Sequence, residues 1–130
     1  MFGPDLTTHI IHLVRDGAVM KVGYVWRDGR TIPIVDSDVV VQLESDALTP
    51  RAGEGRLFLE NGEELLIRCN RNDGIVMHVR GYTAVETIGA AWLDGREGMS
   101  NLEVCTNATG GNREPICTIG SNFTDGLTRR

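Results

Sequence analysis

A series of Asp-Gly and Asn-Gly pairs, spaced along almost the whole chain, constrains its fold more than any other feature. A two-residue hairpin turn needs positive φ at its centre, and Asn or Asp followed by Gly adopts it with the least strain. The pairs are Asp16-Gly17, Asp28-Gly29, Asn61-Gly62, Asp73-Gly74, Asp94-Gly95 and Asp125-Gly126. Almost every pair lies between two strand-like runs, which predicts a meander of antiparallel hairpins.

The runs between the turns predict eight or nine short strands. They cover residues 8–15, 18–26, 31–34, 38–45, 55–60, 64–69, 75–80, 82–93 and 99–105. No stretch combines helical periodicity with caps at both ends. The expected fold class is therefore all-β, an antiparallel meander that forms a barrel or half-barrel.

The length of 130 residues predicts a single domain with one hydrophobic core. We expect a β-barrel-like domain at residues 1–106. Residues 107–130 are predicted to form an irregular C-terminal segment. It has room for one further strand at Ile116-Cys117-Thr118-Ile119, and its last residues are expected to form a mobile tail.

Composition and charge exclude several classes of partner. Hydrophobic residues make up 41% and charged residues 24% of the chain, as in ordinary globular proteins. The net charge is -5 and the basic residues are scattered, so we expect no nucleic-acid partner. The apolar runs fall far short of the roughly 20 residues that span a bilayer, which predicts no membrane partner. The N-terminus lacks the pattern of a secretory signal, so a cytoplasmic location is expected.

The usual signatures of metal and cofactor sites are missing from the sequence. Cys69, Cys105 and Cys117 lack metal-ligand spacing and are expected to be reduced, with Cys69 a small core residue. His9 and His12 are three residues apart, so on a strand they point to opposite faces. We therefore expect no metal site, and no motif implies a cofactor.

Two carboxylates are the candidate catalytic residues because they alternate with apolar or uncharged neighbours. Glu86 belongs to a run that is apolar on both faces, and such a strand is covered on both sides. Glu103 alternates with Met99, Asn101 and Cys105. Each carboxylate is either solvent-facing at a strand edge or held in a lined pocket, where burial would suit it to acid or base chemistry.

Four larger side chains are candidate ligand contacts. Tyr24 and Trp26 share one face of the second predicted strand, and amphipathic rings of this kind are frequent in ligand cavities as well as in ordinary cores. Trp92 lies on the doubly apolar run, and His78 shares a face with Val76.

The segment Gly23-Tyr24-Val25-Trp26-Arg27-Asp28-Gly29, followed by Ile32-Pro33-Ile34, resembles lipocalin-like or calycin-like proteins. These are the two-domain β proteins related to hydroxyneurosporene synthase, AttH and the fungal Diels-Alderases. The resemblance is to the C-terminal half-domain of these proteins and covers residues 8–105. It also rests on Gly81-Tyr82 and on the Asp94–Glu103 segment. Ser100 stands where the family pattern favours glycine. The resemblance implies a lipocalin-like barrel, and the missing N-terminal partner domain suggests a homodimer that imitates the tandem pair.

Three functions remain open at this stage. The first is the binding of a small apolar ligand inside the barrel, touching Tyr24, Trp26 or Trp92. The second is an isomerase, hydratase or cyclase activity, implied by the resemblance, with Glu103 or Glu86 as acid or base. The third is a structural or interaction domain whose apolar faces serve assembly alone.

Overall fold

The computed structural model describes residues 1–79, 82–107 and 115–120, with side chains described for 1–76 and 83–105. The described residues form eight strands and no helix. The strands are β1 (Leu6–Arg15), β2 (Ala18–Arg27), β3 (Arg30–Leu43), β4 (Pro50–Leu59), β5 (Glu64–Val79), β6 (Tyr82–Leu93), β7 (Arg96–Asn107) and β8 (Pro115–Gly120). Within these residues no helix is long and apolar enough to cross a membrane.

The strands form a closed antiparallel barrel in chain order. Each strand pairs with the next, and β8 pairs with both β7 and β1. The predicted all-β antiparallel meander is confirmed, and β8 covers the further strand expected at residues 116–119. The tail expected to be mobile falls on residues outside the described ranges.

Three of the predicted hairpin turns have the backbone that the Asp-Gly pairs require. Asp16, Asp28 and Asp94 have φ of 53°, 51° and 48°, and the φ of the glycine after each is also positive. Two consecutive positive φ values define the type I′ turn, which matches the right-handed twist of the strands. These turns fix the β1–β2, β2–β3 and β6–β7 hairpins.

The turn predicted at Asp73-Gly74 is wrong. This pair lies within β5, at a register irregularity between Arg71 and Asp73 in the pairing with β6. Glycine is needed at residue 74 because a Cβ there would lie 2.8 Å from the carbonyl oxygen of Glu86 on the neighbouring strand. The predicted strands 64–69 and 75–80 are therefore one strand, and 31–34 and 38–45 likewise merge into β3 with a bulge near Asp36.

The hydrophobic core fills the inner face of the barrel. Alternate residues of the strands point inward, as period-two alternation predicts. The buried cluster consists of Phe2, Leu6, Ile10, Val25, Ile34, Leu57, Leu59, Leu65, Ile67, Cys69, Ala91, Leu93 and Leu102. Cys69 is confirmed as a small core residue.

The N-terminal residues close one end of the barrel. The Phe2 side chain belongs to the core cluster, and its backbone N–H donates to the carbonyl of Leu6 at 2.9 Å. Arg96 holds this segment in place, since its guanidinium donates to the Phe2 carbonyl at 2.8 Å and to Asp5 at 2.6 Å.

Candidate functional site

Glu86 and Glu103 lie directly opposite each other on β6 and β7. Their neighbours on these strands, Thr87 and Leu102, also form a pair, and Leu102 belongs to the core. Since successive residues of a strand point to opposite sides, the two glutamates lie on the outer face of the barrel. They are nevertheless only 3% and 2% exposed. A buried carboxylate pair on the face opposite the core is what marks this region as a candidate site.

Glu103 accepts a hydrogen bond from the thiol of Cys105, which lies two residues along β7 on the same face, at 2.8 Å. Burial raises the pKa of Glu103, and the hydrogen bond from Cys105 opposes this effect in part. Glu86 lies across the ladder, where opposed side chains have Cβ atoms about 4.5–5.5 Å apart. Two carboxylates this close favour a state that shares one proton or one cation.

His9 brings a third titratable group to the same face. It is 7% exposed, and its ring stacks on that of Tyr24, its partner on β2, with the centroids 6.0 Å apart. Burial lowers the pKa of His9, so the ring is neutral at neutral pH. Its Nε2 atom is buried and has no hydrogen-bond partner among the described residues.

Strand β8 connects His9 to the carboxylates. Gly120 pairs with His9 on one side and with Asn101 on the other. Asn101 precedes Glu103 by two residues and therefore shares its face. Within the described part of the chain, its Oδ1 atom is also buried without a hydrogen-bond partner. We call His9, Glu86, Asn101, Glu103 and Cys105 the outer cluster.

Exposed apolar side chains border the outer cluster. Ile88 pairs with Asn101, and Met99 lies on the same face of β7. Met99 is 62% exposed, and Met20 and Val22 on β2 are also exposed. A polar cluster with an apolar border suits a ligand that has one polar end and an apolar body.

The structure places the predicted ligand contacts in different surroundings. Tyr24 and Trp26 lie on the outer face, because their neighbour Val25 belongs to the core, and Tyr24 contacts the outer cluster through His9. Trp92 also faces outward, on the same strand as Glu86 but about 20 Å away, and the Arg68 guanidinium lies 4.9 Å from its ring centroid. His78 lies on β5 opposite Thr83, and its side chain falls outside the described residues.

His9, Asn101 and Cys105 were not predicted as site residues. The alternation along β7 already placed Asn101 and Cys105 beside Glu103. His9 had no such signal, because it approaches β7 only through β8, which pairs with both ends of the meander.

A second polar group, formed by His12, Ser37, Lys21 and Asp36, joins β1, β2 and β3 where backbone pairing between β2 and β3 stops. His12 Nε2 lies 2.5 Å from Ser37 Oγ. Lys21 donates to Asp36 at 2.9 Å and to the Ser37 carbonyl at 2.6 Å. Since these groups satisfy one another and Ser37 is buried, we assign them a structural role.

The part of the chain that the structure describes also has surface depressions away from the outer cluster. Three of them, of about 350, 510 and 440 Å³, are lined by residues of β2–β5 and their turns. The largest borders Val40 and Leu66, on the wall opposite the outer cluster. Among the described residues no group of three or more His, Cys, Asp or Glu side chains is arranged to hold a metal ion.

The fold and the outer cluster define an antiparallel β-barrel domain with buried acidic groups on its outer face. The chain belongs to the family described as Domain of unknown function (DUF7064), whose model matches residues 1–108. Comparison with curated proteins and with solved structures gave no match.

Proposed function

We propose that this domain binds a small, largely apolar molecule, and that the binding site is the outer cluster with its apolar border. The observation that carries the proposal is the buried pair Glu86 and Glu103 on the face opposite the core. Burial disfavours the ionised form of a carboxyl group and so perturbs its pKa. Groups held in such surroundings are concentrated at binding and catalytic sites.

Binding on the outer face differs from the location expected for a lipocalin-like barrel. The inner positions of β4, β5 and β6 carry Leu57, Leu65, Ile67 and Leu93, all buried in one cluster. The exposed apolar groups on the outer face, Ile88 and Met99, are available to a ligand body instead.

The experiment is a titration with the neutral apolar dye Nile red, followed by its fluorescence. We expect saturable binding that Met99→Ser weakens and Val40→Ser leaves unchanged. The two residues are matched, since each is 62% exposed and they lie on opposite walls of the barrel. Equal weakening by both variants, or binding that does not saturate, would contradict the proposal.

A second candidate is catalysis of the isomerase, hydratase or cyclase type, and the environment of Glu103 favours it. A carboxyl whose pKa is raised by burial keeps its proton to a higher pH than an exposed one, which suits it to act as a general acid or base. Glu86 opposite it supplies a second carboxyl group to take or return a proton.

Catalysis of this type predicts proton exchange between the ligand and the solvent. The protein as purified would be incubated in deuterated water and the extracted small molecules analysed by mass spectrometry. Deuterium incorporated by the wild type and lost in Glu103→Gln supports catalysis. If the small molecules from both samples carry no deuterium, catalysis is contradicted and binding without catalysis is supported.

A further inference from the structure

The outer cluster presents hydrogen-bond acceptors to its ligand. The Asn101 Oδ1 and His9 Nε2 atoms are buried, and no described group forms a hydrogen bond with either. The neutral His9 ring offers an acceptor at Nε2 when its proton is on Nδ1. A Glu103 carboxylate adds further acceptor positions, and only the Cys105 thiol among the described side chains donates to it. These three residues carry hydrogen-bond acceptors on the same face of the barrel.

Positive charge does not come from the described basic residues. Each ion pair of a described Lys or Arg involves a carboxylate outside the cluster, such as Asp36, Glu63 or Glu44. A ligand that satisfies buried acceptors must bring its own donors, since unpaired acceptors each cost about 1–3 kcal/mol.

Gly120 adds no side chain between His9 and Asn101. It stands between His9 and Asn101 on the intervening strand, and glycine carries no side chain into that position. The two outer strands are separated by two strand spacings, or about 9–10 Å. His9 and Asn101 therefore flank Gly120 on the same face of the sheet.

We propose that the ligand carries a primary ammonium group, which donates to His9, Asn101 and Glu103 while its apolar body lies against Ile88 and Met99. An ammonium has three N–H donors and one positive charge, which matches three acceptors of which one is a carboxylate. This inference rests on the proposed function, since it names the chemical class of the ligand for the same site.

The experiment compares three probes that share one eight-carbon chain, octylamine, 1-octanol and octanoate, by isothermal titration calorimetry at neutral pH. We expect octylamine to bind at least about tenfold more tightly than octanol. This difference in affinity corresponds to the contribution of one charge-assisted hydrogen bond. Glu103→Gln and Asn101→Leu should each remove that advantage. Glu64→Gln is the matched control, since Glu64 is an exposed carboxylate on β5 that pairs with Arg56. Circular dichroism would establish that each variant is folded.

The outcomes separate the two proposals. If octanol binds as tightly as octylamine, or octanoate binds more tightly, the ammonium inference fails while apolar binding at the site stands. If octylamine keeps its advantage in both cluster variants, the ammonium is recognised elsewhere and the inference fails. Binding by none of the probes would overturn both proposals.

Discussion

At the residue scale, the outer cluster shows how closely local chemistry follows position in a strand. Glu103 and Leu102 are adjacent in the chain and both buried, yet one lies in the outer cluster and the other in the core. A shift of one residue in the β6–β7 register would exchange them and place a carboxylate in the core. The core residues therefore fix the register that keeps Glu103 opposite Glu86.

Glu103 makes stability depend on pH in a definite direction. Its folded-state pKa is raised above the ordinary value of 4.5, so the folded protein holds this proton more tightly than the unfolded chain. The contribution of Glu103 is full below pH 4.5 and is lost as the pH rises through its folded-state pKa. We expect Glu103→Gln, which cannot ionise, to remove this loss.

Urea unfolding between pH 4 and pH 7 measures the effect. Relative to Glu103→Gln, the wild type should lose free energy of unfolding as the pH rises. Glu64→Gln serves as the control for loss of a carboxylate from an exposed site. Parallel pH curves for wild type and Glu103→Gln would show that Glu103 titrates alike in the folded and unfolded states.

At the element scale, the long strands depend on glycines where neighbouring backbones approach closely. A Cβ on Gly55 of β4 would lie 1.8 Å from the carbonyl oxygen of Asp38 on β3. Gly55 pairs with Val39 and Ile67, whose side chains fill the inner face around it. The absence of a side chain at this position lets β3 and β4 remain paired along the barrel wall.

Replacing Gly55 with Ala should therefore destabilise the barrel strongly. Overpacking of this kind costs about 1–3 kcal/mol, and we expect the upper end because the obstacle is backbone. Gly29→Ala is the comparison, since Gly29 has φ of 77° but nothing within 4 Å of its added Cβ. Thermal unfolding should show the larger decrease in melting temperature for Gly55→Ala, and the reverse order would contradict the role given to the close approach.

Much of the element structure follows from local signals in the sequence. Asp16-Gly17, Asp28-Gly29 and Asp94-Gly95 predicted their turns because positive φ is a property of the pair itself. The turn prediction at Asp73-Gly74 was wrong because a glycine required by a neighbouring strand looks the same in sequence as one required by a turn. The aromatic residues were placed on the correct shared face, but sequence alone does not say which face of a barrel is the inner one. His9 lies near β7 only because β8 closes the barrel by pairing with β1 and β7. This closure is a non-local contact without a sequence signal.

At the scale of the whole molecule, we predict a homodimer, and the exposed apolar side chains favour it. Ile88 and Met99 on β6 and β7, with Met20 and Val22 on β2, place apolar surface at the border of the outer cluster. Patches of this kind mark protein or ligand contacts more often than free surface. We expect a second copy of the chain to cover Ile88 and Met99 from outside, so that the apolar body of a bound ligand lies between the two copies.

Light scattering coupled to gel filtration tests the expected homodimer. The wild type should show the dimer mass, and Ile88→Glu should shift it towards the monomer mass by placing a charge in the contact. Val40→Glu, on the opposite wall, is the control and should leave the mass unchanged. A monomer mass for the wild type over a wide concentration range would rule out the dimer.

Strand β8 has a consequence for how the chain reaches this structure. Each hairpin from β1 to β7 joins neighbours in sequence, whereas β8 pairs with β1 from the opposite end of the chain. Bringing distant segments together costs loop-closure entropy before any contact offsets it. The hairpins are therefore expected to form first, and the pairing of β8 with β1 last. Because this final pairing places His9 and Asn101 on either side of β8, the outer cluster is completed only at the end of folding.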